Sequence, residues 1–132
     1  MISLFLRPGQ IMIRKDNPDM THSMQLQPSP FEMIRDGTKT IELRLFDEKR
    51  KKIRPGDTIT FTNTANNEVL SVRVLELSVF DSFKTLYNRL PLLDCGYTKD
   101  DVGTASPDDM NAYYPEELQR KYGVVGIRIA LL

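Results

Sequence analysis

The stretch that decides the fold is Gly37-Thr38-Lys39-Thr40-Ile41-Glu42-Leu43-Arg44. A glycine turn leads into a short strand in which apolar side chains at positions 41, 43 and 45 alternate with polar ones at 40, 42 and 44. Successive side chains of a strand point to opposite sides. The apolar face is therefore predicted to pack against the core, and the polar face carries Glu42 and Arg44 together. Lys39 adds an ammonium group at the entrance of this strand.

A short helix before this turn is indicated by Ser29-Pro30-Phe31-Glu32. Serine is a favoured N-cap, proline suits the first helical position, and a glutamate three residues after the cap completes a capping box. Gly37 matches the left-handed residue that commonly ends a helix. The pattern therefore predicts a helix that ends at Gly37 and leads directly into a strand over residues 40–46.

Alternating segments elsewhere in the chain predict further strands. They cover residues 22–26, 58–62, 69–79 and 124–131. Within residues 69–79 the apolar positions change face partway, which indicates a β-bulge or a bend at a barrel corner. In the last segment one predicted face carries four apolar side chains, namely Val125, Ile127, Ile129 and Leu131.

Short helices are predicted to begin at Asp81 or Ser82, at Ser106 and at Pro115, and residues 92–106 read as a loop. The strands are not separated by regular helices, so a doubly wound parallel sheet is not expected. The predicted fold class is α+β, a small mixed β-barrel of about five or six strands with three or four short peripheral helices. Residues 1–21 form an N-terminal extension, either a strand around Ile11-Met12-Ile13 or a disordered segment, and residues 22–132 form the domain.

Length and composition restrict the function. The chain has 132 residues, 18 Lys and Arg against 18 Asp and Glu, and one cysteine, Cys95. Zero net charge argues against binding long nucleic acids by bulk electrostatics, so no DNA partner is expected. A single cysteine makes no internal disulfide and no cysteine-based zinc site, which is typical of a cytoplasmic protein. No apolar run reaches membrane-spanning length, so no membrane partner is expected.

Lys39, Glu42 and Arg44 are the first candidates for a functional site. If their strand face meets bulk solvent, Glu42 and Arg44 form a screened surface pair of little energetic value. If the face meets a cleft, the three supply an acceptor or general base, a fork for phosphate or carboxylate, and a second cation. Spacing alone leaves both interpretations open.

Charge is segregated along the chain although its sum is zero. Residues 35–54 carry eight basic and four acidic side chains, whereas residues 99–117 carry one basic and six acidic. The basic segment predicts a phosphate-binding rim beside Lys39, with Arg50 as a further contact, or else a solvated loop.

Three other side chains are candidate ligand contacts. His22, the only histidine, precedes a strand expected near residues 40–46, so it is either a core residue or a member of the same site. Tyr113 and Tyr114 are candidates for stacking on a base, or belong to the core or rim. Cys95 lies in a predicted loop with no activating partner. No metal site and no cofactor are predicted.

The motif Gly37-x-Lys39-x-x-Glu42-x-Arg44 resembles the signature of the ASCH domain (activating signal cointegrator homology) of the PUA-like superfamily. Further segments resemble its bacterial single-domain branch, namely His22-x-Met24-x-Leu26, Pro30-Phe31-Glu32, Asp47-Glu48-Lys49-Arg50, Gly56-Asp57 and Tyr122-Gly123-Val124-Val125-Gly126-Ile127. The resemblance covers residues 22–132. It implies a PUA-like β-barrel with a cleft into which the signature residues project, and a role in RNA binding or RNA-linked processes.

One branch of that family consists of amidohydrolases that deacetylate a modified cytidine. Their motif lysine corresponds to Lys39, but their nucleophilic threonine corresponds to Glu42, which has no hydroxyl. Their later catalytic glutamate corresponds to Glu116, to Glu117 or to neither. The resemblance therefore leaves the enzyme activity open.

Three functional hypotheses follow. In the first, an RNA- or nucleotide-binding module contacts phosphate through Lys39, Arg44 and Arg50, and Glu42 reads a donor of the base or ribose. In the second, a small amidohydrolase acts on an acetylated cytidine-type nucleoside, with Glu42 as general base and Lys39 stabilising the oxyanion. In the third, the chain is a regulatory or protein-interaction domain without a small ligand.

Overall fold

The computed structural model describes residues 19–132. The strands are β1 (Thr21–Leu26), β2 (Ile41–Leu45), β3 (Thr58–Asn63), β4 (Val69–Phe80) and β5 (Val124–Leu131). The α-helices are α1 (Pro28–Arg35), α2 (Phe83–Arg89) and α3 (Glu116–Tyr122), and 3-10 helices cover Arg50–Lys52, Leu92–Cys95, Val102–Thr104 and Pro107–Ala112. The strand predicted around Ile11 lies outside the described residues. No helix within residues 19–132 is long and apolar enough to cross a bilayer.

The five strands form one sheet in the order β1-β3-β4-β5-β2. β1 pairs with β3 in parallel, and the other pairs are antiparallel. The sheet curls into a half-barrel surrounded by short helices, so the predicted α+β class with a small mixed barrel is confirmed. The predicted loop at residues 92–106 contains two of the 3-10 helices.

The half-barrel has a seam, the gap between its edge strands β1 and β2. Side-chain cations bridge it by donating to backbone carbonyls of β1. The Arg44 Nη2 lies 2.8 Å from the Gln25 oxygen, and the Lys49 Nζ lies 2.5 Å from the Ser23 oxygen. An edge strand leaves alternate backbone groups without a strand partner, so these contacts satisfy carbonyls that a closed barrel would pair.

Two apolar clusters pack on opposite faces of the sheet. The inner cluster, inside the half-barrel, contains Met24, Phe31, Ile59, Phe61, Val72, Ile127 and their neighbours. The outer cluster contains Ile41, Leu43, Leu45, Phe83, Leu86, Val124 and their neighbours.

Strand β5 contributes to both clusters, which corrects the expectation of one apolar face. Val125 and Ile127 face the inner cluster, while Val124 faces the outer one under α2. Leu131 was expected on the buried face, but its residue is 48% exposed because it lies at the strand's end beyond the core.

The predicted irregularity in β4 is confirmed. Its register with β5 shifts between Val74 and Glu76, which leaves Leu75 as the extra residue. A β-bulge bends the strand and increases its twist. The bulge therefore lets one long strand pair with both β3 and β5 around the curve of the half-barrel.

The start of α1 differs from the prediction at Ser29. The helix begins at Pro28, Gln27 precedes it, and no side chain caps it. The Phe31 N–H already donates to the Gln27 carbonyl at 3.1 Å, so the first turn closes two residues earlier than expected. Both prolines fit there because N–H groups of a first turn need no helical partner. At the other end Gly37 has φ +86°, which confirms the left-handed position.

His22 and Asp57 form a buried pair between β1 and the turn before β3. The His22 Nε2 lies 2.8 Å from Asp57 Oδ2, and their side chains are 8% and 6% exposed. The carboxylate also accepts from the Met20 N–H at 3.1 Å and the Arg54 N–H at 2.9 Å. Burial raises the pKa of Asp57, but the hydrogen bonds from His22 and these backbone groups lower it by more, so its pKa lies below the ordinary value.

We expect Asp57→Ala to lower the free energy of unfolding by about 2–4 kcal/mol, because it leaves the buried His22 ring and two partly buried backbone N–H groups without an acceptor. Urea denaturation followed by circular dichroism measures the change. Asp100→Ala, which removes an exposed carboxylate, is the control and should shift the value by less than about 0.5 kcal/mol.

The same pair makes stability depend on pH. Because the folded pKa of Asp57 is depressed, its contribution is complete above the unfolded pKa of about 4 and is lost as the pH falls through the folded value. The difference between wild type and Asp57→Ala should therefore shrink below about pH 4. A difference that stays constant into strong acid contradicts this assignment.

Candidate functional site

A cleft of about 740 Å³ lies beside the seam of the half-barrel. Its lining comes from four parts of the chain: residues 25–33, residues 39–44, α2, and the segment from 95 to 114. Besides Cys95, the polar and aromatic side chains among them are Gln25, Gln27, Ser29, Lys39, Glu42, Arg44, Tyr87, Tyr97, Asp101, Asp109, Tyr113 and Tyr114. A volume of this size is typical of small-molecule sites.

The cleft floor is an ion triad of Lys39, Glu42 and Arg44. The Lys39 Nζ lies 2.9 Å from Glu42 Oε1, and the Arg44 Nε lies 2.6 Å from Glu42 Oε2. The Glu42 side chain is 4% exposed and those of the two cations are 10% and 12% exposed. The solvated surface pair is therefore not the arrangement found, and the polar face of the strand lines the cleft.

Strand pairing explains why the triad faces inward. Glu42 stands opposite Ile127 and Arg44 opposite Val125, and both partners belong to the inner cluster. The alternate apolar residues of β2 point to the outer cluster instead. The strict alternation at residues 41–45 thus places a buried polar cluster on one face and an apolar core on the other.

The triad carries one net positive charge. Burial raises the pKa of Glu42, but the charges and hydrogen bonds of Lys39 and Arg44 lower it by more, so its pKa lies below the ordinary value. Glu42 is therefore a carboxylate with both oxygens engaged. An acceptor that two cations already hold is a weak general base, whereas the cations keep unused N–H groups for an anion.

A turn at residues 94–97 holds Lys39 in place. The Thr40 N–H donates to the Asp94 carbonyl at 2.8 Å. Gly96 has φ +115°, and a Cβ there would lie 3.4 Å from Lys39 Cδ and 3.5 Å from Nζ. The positive φ therefore favours glycine at position 96, and the turn packs in van der Waals contact with the Lys39 side chain. Nothing in the neighbouring sequence shows that this turn approaches Lys39.

Another part of the cleft lining is a hydrogen-bonded chain of side chains that the sequence did not predict. The Tyr97 hydroxyl donates to Asp109 Oδ2 at 2.6 Å, and the hydroxyls of Tyr87 and Tyr97 are 2.7 Å apart. Burial and the hydrogen bond to Asp109 raise the pKa of Tyr97, so it stays a neutral phenol. The one available signal was the helix start predicted at Ser106, where a 3-10 helix begins and a capping box with Ser106 positions Asp109.

Both predicted stacking tyrosines line the cleft. Tyr114 is half-buried and stacks on Phe83, with ring centroids 6.3 Å apart and an interplanar angle of 18°. Tyr113 is 66% exposed at the rim. Tyr114 is therefore a fixed aromatic wall, and Tyr113 is an aromatic surface available to a ligand.

Two predicted contacts lie elsewhere. His22 was expected to reach the same site, but it is paired with Asp57 and does not line the cleft. Arg50 does not line the cleft either, because its Nη1 is held 3.1 Å from Asp47 Oδ2. His22 and Arg50 each pair with a carboxylate outside the triad, His22 with Asp57 and Arg50 with Asp47.

Cys95 lines the cleft, but its thiol is unreactive. Its residue is 5% exposed, and burial raises the pKa of its thiol to about 11. The thiol is protonated near neutral pH and is a poor nucleophile. Within residues 19–132, no group of three or more His, Cys, Asp or Glu side chains is arranged to hold a metal ion.

A model of the ASCH domain family matches residues 24–132. The chain belongs to the ASCH domain family. The resemblance read from the signature residues is thereby confirmed. The domain start predicted at residue 22 stays a prediction.

Solved structures agree with this family. A crystal structure of hypothetical protein PH0355 is 36% identical, with a TM-score of 0.72 over 86% of this ASCH chain and 100% of that chain. Protein PF0455 from Pyrococcus furiosus is 36% identical, with a TM-score of 0.64 over 86% and 98%. A ZmASCH variant from Zymomonas mobilis, 13% identical with a TM-score of 0.60 over 83% and 67%, shares the fold. No protein of curated function matches the chain.

We expect Glu42→Ala to lower the free energy of unfolding by about 3–5 kcal/mol, because it leaves two buried cations without a counter-charge. The control is Glu48→Ala. The Glu48 side chain is 81% exposed and lies 3.5 Å from Lys51, so its loss should cost less than about 1 kcal/mol. Urea denaturation compares the two variants. Equal effects would show that the triad does not stabilise the fold.

Proposed function

We propose that this ASCH domain binds RNA or a nucleotide-like ligand in the cleft, with a phosphate group on Lys39 and Arg44. The observation that carries the proposal is the buried triad, whose net positive charge lies at the floor of an open cleft. Cations with little exposure keep more of their attraction for an anion than surface lysines do, because solvent screens them less.

The aromatic rim supports the same ligand class. Tyr113 presents an exposed ring at the cleft, and a ring of this kind stacks on any base. Family membership supports it as well, since the ASCH domain is generally proposed to bind RNA. A nucleotide with its phosphate on Lys39 and Arg44 and its base on Tyr113 would contact both the cations and the exposed ring.

The role of Glu42 in this proposal is to hold the two cations in place. Because both of its oxygens are engaged by Lys39 and Arg44, it is poorly suited to read a ligand donor or to activate water. This geometry disfavours the amidohydrolase hypothesis. The protein-interaction hypothesis is disfavoured because, within residues 19–132, side chains leave the cleft open.

Titration of short RNAs and nucleoside monophosphates at two salt concentrations tests the proposal. Affinity should fall as salt rises. Lys39→Met should lower affinity about tenfold and reduce the salt slope by about one unit, because one phosphate contact is lost. Lys121→Met, at an exposed position of α3 outside the cleft lining, is the matched control and should change neither.

Two results would overturn the proposal. One is the absence of binding by every RNA and nucleotide, and the other is an affinity that Lys39→Met leaves unchanged. Incubation with acetylated cytidine separates the hydrolase. Turnover above the blank that is lost in both Lys39→Ala and Glu42→Gln would establish that activity instead.

A further inference from the structure

We infer that the binding surface continues from the cleft along the seam of the half-barrel, where Lys49 holds the next phosphate of a short single strand. We name Arg44 and Lys49 the seam cations, because each donates to a backbone carbonyl of the edge strand β1. The inference rests on the proposed function and specifies its ligand as a dinucleotide unit rather than a single nucleotide.

The two seam cations lie along the same edge of one strand. The Arg44 Nη2 is 2.8 Å from the Gln25 oxygen, and the Lys49 Nζ is 2.5 Å from the Ser23 oxygen. Residues two apart in a strand direct their carbonyls to the same side, and these carbonyls are about 6.6 Å apart along the strand. This separation is close to that of successive phosphates in an extended single strand of nucleic acid.

The first of these cations already belongs to the cleft. Arg44 and Gln25 both line it, whereas Ser23 and Lys49 lie beyond its lining, two residues further along β1. A phosphate on Arg44 therefore has a second cation close by, outside the cleft. The exposed side chains of β1 are Thr21, Ser23 and Gln25. None of them is charged, so this face of the strand carries no group that repels an anion.

Both seam cations keep donors for a ligand. Arg44 uses Nε on Glu42 and Nη2 on Gln25, and its Nη1 has no hydrogen-bond partner within residues 19–132. The exposed ammonium group of Lys49 has three N–H donors and shares one with the Ser23 carbonyl. Each cation can therefore bind a phosphate oxygen while its contact with β1 is kept.

The carboxylates that precede Lys49 in the chain are engaged by other cations. Asp47 Oδ2 lies 3.1 Å from Arg50 Nη1, and Glu48 Oε2 lies 3.5 Å from Lys51 Nζ. Among the residues that the structure describes, Lys49 has no carboxylate partner of its own. It therefore adds an uncompensated positive charge at the seam, which attracts a second phosphate.

The neighbouring cleft favours a nucleotide chain over an acidic peptide. Tyr113 presents an exposed ring at the cleft rim, and a base can stack on such a ring. An acidic peptide has no group that uses this ring in the same way. Contacts to phosphate position a strand but do not read its bases, so the seam contributes affinity without sequence preference.

Ligands of equal charge and different phosphate spacing test the inference. The 5′-phosphorylated dinucleotide pUpU and UDP carry the same charge at neutral pH, but only pUpU has phosphates one nucleotide apart. Isothermal titration should show pUpU binding about tenfold more tightly than UDP or UMP, because its second phosphate binds as part of the same molecule. The salt slope for pUpU should exceed that for UMP by about 0.7 units.

Variants of Lys49 should affect pUpU alone. Lys49→Met should lower the affinity for pUpU about tenfold and leave that for UMP unchanged, because UMP does not reach the seam. Unchanged UMP binding also shows that the variant is folded. Lys49→Arg keeps the charge and should retain most of the affinity for pUpU. Lys121→Met, at an exposed position of α3 outside the cleft lining, is the control and should change neither ligand.

The outcomes separate this inference from the proposed function. Equal affinities for pUpU and UDP overturn the seam contact and leave phosphate binding in the cleft intact. The same holds if Lys49→Met leaves pUpU binding unchanged, or if it weakens UMP and pUpU equally while melting curves show folded protein. A hexaglutamate peptide that competes with pUpU and depends equally on Lys49 assigns the seam to acidic peptides instead. Absence of binding by every nucleotide overturns both proposals.

Discussion

The buried carboxylate of Glu42 is the constraint on which the rest of the structure depends. It holds Lys39 and Arg44 within hydrogen-bond distance in a place where isolated charges would be costly. Arg44 also reaches across the seam to the Gln25 carbonyl. Arg44 thus belongs both to the floor of the cleft and to the contacts that close the half-barrel. The position of Arg44 in the cleft therefore depends on contacts that also close the half-barrel.

The zero net charge of the chain conceals a polarised site. The basic residues that line the cleft, Lys39 and Arg44, come from segment 35–54, and two of its acidic residues, Asp101 and Asp109, come from segment 99–117. Because a cleft focuses the field of the groups that line it, the local arrangement decides ligand choice more than the total does. Such a site is suited to a small dipolar ligand rather than to a long polyanion.

Much of the fold could be predicted because its causes are local. The left-handed glycine at Gly37, the serine cap at Ser82 and the face change in β4 depend on backbone preferences and side-chain period, which neighbouring residues display. The predicted N-cap of α1 at Ser29 was wrong, because Pro28 and Pro30 are each compatible with the first turn of a helix. The two-sided burial of β5 was missed because periodicity cannot show that a helix covers the second face.

For the site, the sequence by itself determined that Glu42 and Arg44 share a strand face and that Lys39 stands at its entrance. The family signature, too, was readable there. Only the tertiary structure decided that this face lines a cleft, that His22 pairs with Asp57 instead, and that Tyr97 and Asp109 join the same lining. The physical reason is that strand alternation specifies which side chains lie together but not what they face. The facing group lies tens of residues away in the chain, and its approach is decided by the packing of the whole half-barrel.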